Sequence, residues 1–139
     1  MRLLLALVFA FTLAACDSGT DGPYPDPATP ISGRYTGAAT VQGIVLNHVF
    51  VLQEAVPGTV TGTLTITAAP NGVPYNYQIR GVHTGATFDL DYGGMSDGLD
   101  YTGSAGASAN TLTGVMDWRE GTDPLPDYSV AVTRDVAAP

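Results

Sequence analysis

Residues 59–67 read Thr-Val-Thr-Gly-Thr-Leu-Thr-Ile-Thr, with threonine at every odd position and valine, glycine, leucine or isoleucine at every even one. A β-strand turns successive side chains to opposite faces, so this stretch has one polar face and one apolar face. Wound as a helix, the same residues would scatter both classes around the axis and leave no apolar stripe to bury. Seven further segments alternate in the same way: residues 32–41, 45–54, 75–83, 87–92, 99–107, 111–118 and 128–134. Short turn signals separate most of them, at Val56-Pro57-Gly58, Pro70-Asn71-Gly72, Thr84-Gly85-Ala86 and Ser108-Ala109-Asn110. Parallel neighbours need a long crossover, so connections this short predict antiparallel pairing and a meander of hairpins.

A recurring glycine predicts how the meander ends. Tyr35-Thr36-Gly37, Val60-Thr61-Gly62, Ile79-Arg80-Gly81, Tyr101-Thr102-Gly103 and Leu112-Thr113-Gly114 each set a glycine two residues after an apolar residue, and so on the apolar face. Glycine weakens a strand and marks a bend or a close backbone approach. Repeated at matching points, it predicts a sheet that curls until its edges meet, the arrangement that removes exposed strand edges. The expected fold is all-β: an eight-stranded antiparallel up-and-down barrel over residues 31–136, with a two-sheet sandwich as the alternative. The expected interior is Tyr35, Phe50, Leu52, Val60, Leu64, Ile66, Tyr77, Ile79, Phe88, Leu90, Tyr101, Leu112, Met116, Trp118, Val130 and Val132. With its glycine-aromatic opening (Gly33, Tyr35) and eight-strand meander, the domain resembles the small lipocalin-like (calycin) barrels and their avidin-like relatives. The lipocalin opening prefers Gly-x-Trp, and Tyr35 stands at its third position here.

The start of the chain is of another kind. Arg2 precedes an apolar run over residues 3–13, far short of the roughly 20 residues that span a bilayer core. The run leads into Leu13-Ala14-Ala15-Cys16, and Cys16 is the only cysteine. A charged start, a short apolar run and small residues at a cleavage point make a secretion signal. The four-residue box resembles the lipobox of bacterial lipoproteins. That resemblance implies a signal peptide over residues 1–15, removal of which leaves Cys16 as a lipidated first residue. It also implies a location in the cell envelope, anchored at the periplasmic face or on the outer membrane or cell surface. Asp17 resembles the inner-membrane retention signal of enteric bacteria. Residues 17–30 are dominated by proline, glycine and aspartate, too polar to offset ordering entropy, and read as a spacer. Residues 137–139 read as a tail.

Charge narrows the possible partners. The chain carries 5 basic and 13 acidic residues, a net charge of −8 that becomes −9 once Arg2 leaves with the signal, and it has no lysine. Nucleic-acid binding needs a basic patch to neutralise phosphates, so that class is excluded. An anionic lipid surface repels such a domain as well, leaving the acyl anchor as the expected membrane contact.

Chemistry-bearing constellations are sparse. His48 and His83 are isolated, with no second histidine at ligand spacing, and read as ordinary strand residues. No nucleophile–histidine–acid order and no phosphate-cradling glycine loop stands out, so the protein is expected not to be an enzyme, and no cofactor is expected. Asp89, Asp91, Asp97 and Asp100 fall at positions 1, 3, 9 and 12 of a run with glycine at position 6, which partly resembles an EF-hand calcium loop. Gly93 at position 5, an aspartate at position 12 and flanking strands depart from that pattern, so a solvated acidic turn is the plainer reading. Tyr35, Tyr77, Tyr101 and Trp118 are candidates for lining a small apolar pocket, against the plainer reading that they fill the barrel. The expected role is a binding or interaction module for an envelope protein. The alternatives are a carrier of a small apolar ligand, a purely structural envelope lipoprotein, or an enzyme of unrecognised type.

Overall fold

A computed structural model describes residues 29–56, 58–92, 98–118 and 125–136. The described residues form eight strands: β1 (Gly33–Val41), β2 (Ile44–Val56), β3 (Thr59–Ala68), β4 (Tyr75–Thr84), β5 (Thr87–Tyr92), β6 (Leu99–Ala105), β7 (Thr111–Trp118) and β8 (Tyr128–Arg134). Each pairs antiparallel with the next, and β8 returns to β1 to close an up-and-down barrel. The sandwich alternative falls, because one continuous ring of strands leaves no second sheet to stack.

Alternation decides which residues point inward. In β3, Val60, Leu64 and Ile66 are buried while the threonines between them face outward or are only partly covered. Each expected interior residue, from Tyr35 to Val132, is buried. Burying a large apolar side chain contributes roughly 1.5–3 kcal/mol, so the inward set supplies most of the driving force for the fold. Ile31, Val41, Leu46, Leu99 and Tyr128 join the core at the strand ends, where the alternation is too short to announce them.

The five recurring glycines all meet neighbouring backbone. A Cβ built at Gly37, Gly62, Gly81, Gly103 or Gly114 would overlap a carbonyl oxygen of an adjacent strand. At Gly81 the obstructing group is the Asp89 carbonyl, with Leu90 Cα only 2.7 Å away. The sheet therefore folds onto these points, as its tight curl demands. Two hairpins turn in two residues: Gln42 and Gly43 at φ 51° and 82° between β1 and β2, and Gly85-Ala86 between β4 and β5. Positive φ at both central residues matches the twist of the flanking strands, which explains the hairpin at Gln42-Gly43 despite its unexceptional sequence. β6 stops at Ala105, two residues before the expected end, because Gly106 and Ala109 form a turn in which the Ala109 N–H donates to the Gly106 carbonyl at 2.7 Å.

The seam between β1 and β8 is the shortest in the ring, with Tyr35 opposite Arg134 and Thr36 opposite Thr133. Side chains extend it. Thr36 Oγ1 donates to Asp135 Oδ1 at 2.8 Å, and Arg34 pairs with the other oxygen of the same carboxylate. The Asp135 N–H donates to the Arg34 carbonyl at 2.8 Å.

Candidate functional site

The two ends of the barrel differ in chemistry. At one end the chain enters as a strap, residues 29–32, lying across the strand ends. Ile31 is fully buried there, and its N–H donates to Glu54 Oε2 at 2.9 Å. The other Glu54 oxygen accepts the Gly58 N–H at 2.9 Å, and His83 Nδ1 lies 3.0 Å from Oε2. The Glu54 and His83 side chains are 4% and 1% exposed. Burial alone would raise the Glu54 pKa, but the hydrogen bonds from Gly58, Ile31 and His83 outweigh it and leave the pKa below the ordinary carboxylate value. Arg134 completes this end. Its Nε and Nη2 donate to the Tyr35 hydroxyl at 3.1 and 2.7 Å, and Nη2 also reaches the Pro30 carbonyl at 3.0 Å. The Tyr35 hydroxyl in turn donates to the Ala109 carbonyl at 2.7 Å. Burial outweighs the pull of Arg134 and raises the Tyr35 pKa, so the donor proton stays in place. These hydrogen bonds hold the strap, the β2–β3 turn and the seam, whereas His83 Nε2 is buried without a hydrogen-bond partner.

The middle of the barrel is filled. Tyr101 packs between Phe50 and Phe88, with ring centroids 5.1 and 4.9 Å away. Its hydroxyl is shared between the Leu112 and Val130 carbonyls at 3.2 and 3.1 Å, and burial holds it protonated by raising its pKa. Further along, fully buried His48 shares a 2.8 Å hydrogen bond through Nε2 with the Tyr128 hydroxyl. Burial lowers the imidazole pKa to about 4, outweighing the opposing effect of the Leu46 backbone.

The other end is aromatic. Inward positions at the mouth of β4, β5 and β7 carry Tyr75, Tyr77, Tyr92 and Trp118. Tyr77 stands edge-on to Tyr92 at 5.0 Å and to Trp118 at 6.1 Å, and Tyr75 stands edge-on to Trp118 at 5.9 Å. Tyr77 and Trp118 are 7% and 9% exposed, whereas Tyr75 is 51% exposed. The cluster thus has a packed base and a solvent-facing rim. On the outer face at the same level, Asp91 opposes Asp100 and Asp100 opposes Asp117, a row of carboxylates across β5, β6 and β7. Arg80 lies opposite Asp91, and its Nε is 3.9 Å from the carboxylate.

The four candidate pocket residues therefore divide between places. Tyr77 and Trp118 meet at the aromatic end, Tyr101 fills the centre, and Tyr35 belongs to the strap end. Of the four aspartates, Asp89 and Asp91 project outward from β5 and Asp100 from β6, while Asp97 lies outside the described residues. Among the described residues no group of three or more His, Cys, Asp or Glu side chains is placed to hold a metal ion. Cys16 also lies outside the described residues. Reading His48 and His83 as ordinary strand residues missed their hydrogen-bonded partners, and Glu54 and Tyr75 were missed outright. A signal existed: His48 and Glu54 share parity with Phe50 and Leu52, and Tyr75 and His83 share parity with Tyr77 and Ile79, which marks all four as inward.

Together these features define the class: a small closed β-barrel with a polar strap at one end and an aromatic face at the other. No protein-family model, curated protein or solved structure matches the chain.

Proposed function

We propose that this protein is a lipid-anchored binding module of the bacterial cell envelope. It is tethered through Cys16 and a short spacer, and it works by recognition, without catalysis, through the aromatic end of its barrel. The observation that carries this reading is the half-exposed Tyr75 edge-on to buried Trp118, which in turn packs against buried Tyr77, at the end opposite the one where the strap joins. Aromatic anchors over a packed base are the side chains that dominate binding energy at interfaces. The filled centre around Tyr101 favours recognition at the surface over enclosed apolar cargo. A tether at the strap end leaves the aromatic end free to face outward from a membrane.

Two measurements test the reading. Mass spectrometry of the mature protein is expected to find a diacylglyceryl-modified Cys16 at the N-terminus; an unmodified cysteine or a different N-terminus overturns the anchor. A photo-crosslinking residue replacing Tyr75 in cells is expected to yield a discrete adduct with an envelope component, and one replacing outward-facing Val51 is not. Equal or absent adducts at both positions overturn the binding role.

A further inference from the structure

We infer that the strap end is a peptide-binding site. The chain fills it with its own strap, and an extended segment of another polypeptide, with an aliphatic side chain where Ile31 lies, takes the strap's place. This site stands apart from the aromatic end and does not depend on the reading given to that end.

The strap is held as a bound peptide is held. Residues 29–32 belong to no strand. Both polar groups of the Pro30–Ile31 peptide bond are taken by barrel side chains: Glu54 Oε2 accepts the Ile31 N–H at 2.9 Å, and Arg134 Nη2 donates to the Pro30 carbonyl at 3.0 Å. The Ile31 side chain is fully buried, while Thr29 and Pro30 are exposed. Extended peptides are recognised in this way, main-chain hydrogen bonds giving affinity and a side-chain pocket giving selectivity. Ser32 adds one bond, its Oγ accepting the Glu54 N–H at 2.8 Å, and Thr29 Oγ1 donates to the Ala107 carbonyl at 3.2 Å.

The clamp itself is built without the strap. The Gly58 N–H and His83 hold Glu54, and the Tyr35 hydroxyl, itself tied to the Ala109 carbonyl, holds Arg134. These partners all belong to the barrel and its turns, so the clamp is preorganised for whatever segment enters it. The strap also leaves this end one partner short. His83 Nε2 is buried with no hydrogen-bond partner, and a buried polar group left so costs stability. A competing segment that brings a hydrogen-bonding group to it gains a bond that the strap does not make. The strap joins β1 at Gly33, where φ is +142° and glycine's backbone freedom provides a hinge.

The probe is a fluorescein-labelled peptide of residues 26–33, Asp-Pro-Ala-Thr-Pro-Ile-Ser-Gly, read by anisotropy against the full chain in neutral detergent. In the unaltered chain the tethered strap competes at an effective concentration of about a millimolar, so binding is expected to be weak. Ile31→Gly removes the side chain that seats the strap and should tighten peptide binding at least tenfold. A probe with aspartate in place of its isoleucine should not bind. Glu54→Gln added to Ile31→Gly should weaken binding about tenfold, whereas Thr102→Ala, on the outer wall of β6, should leave it unchanged. Thermal melts confirm that each variant is folded. If Ile31→Gly does not fold, the unaltered chain decides: excess unlabelled peptide should speed hydrogen exchange at the Ile31 amide severalfold and leave amides in β3 unchanged. The inference is overturned if folded Ile31→Gly binds no more tightly, if the aspartate probe binds equally, or if Glu54→Gln leaves binding intact. Where Ile31→Gly does not fold, an Ile31 amide that the peptide leaves unchanged overturns it. None of these outcomes bears on the crosslink at position 75, so the binding role of the aromatic end stands or falls separately.

Discussion

At Gly81 and Gly85 the same residue type is required for different reasons. Gly81 has no room for a side chain, because the Asp89 carbonyl and Leu90 Cα occupy the place of a Cβ. Gly85 has open space around it but sits at φ +60°. Gly81→Ala should therefore cost about 3 kcal/mol by forcing strands apart, and Gly85→Ala only about 1 kcal/mol of backbone strain; urea midpoints of the two variants check the order. His48 sets a pH limit. Its folded pKa, about 4, lies below the unfolded value near 6.5. The unfolded chain then binds the proton first, so stability is full above pH 6.5 and declines as pH falls towards 4. The loss is on the order of 3 kcal/mol. Urea unfolding across that window should show the slope, and His48→Gln should flatten it.

Among the elements, the strap and the seam depend on two side chains. Glu54 receives donors from the strap, the β2–β3 turn and β4, while Arg134 reaches across the seam to Tyr35 and Pro30. Glu54→Gln would aim an amide N–H at existing donors. A buried donor left unpaired costs about 1–3 kcal/mol, so a loss of about 2 kcal/mol is expected in chemical denaturation. Arg134→Met should cost a similar amount, about 2 kcal/mol, and should speed hydrogen exchange at the Ile31 amide more than at amides in β3. Equal changes in both places would mean that the strap is not held separately. The Glu54 carboxylate adds to acid sensitivity in the same direction as His48. Its folded pKa is depressed, so its contribution is present above the unfolded value and fades as pH falls through the folded one.

For the whole molecule, one core runs from Ile31 at the strap end to Trp118 at the aromatic end. Closure couples the ends, since no strand can leave without opening two seams. Unfolding followed by Trp118 fluorescence and by far-ultraviolet dichroism should therefore coincide at a single midpoint. An earlier fluorescence transition would show that the aromatic end melts separately.

What the amino-acid order determined alone was the period and the punctuation. Threonine alternation in residues 59–67 and its counterparts specified strands and their inward faces, because side-chain direction in a strand depends only on position along the chain. The glycine recurrence specified where the sheet bends, because the missing side chain is itself the feature. Which residues share a site was decided only by the closed ring. Glu54 meets His83 across 29 residues, and His48 meets Tyr128 across 80. The aromatic end joins Tyr75 and Tyr77 of β4 to Trp118 of β7. Alternation says that a side chain points inward but not at what height it sits or what it faces. Height and neighbours follow from strand register and from the return of β8 to β1, and these depend on contacts between distant parts of the chain.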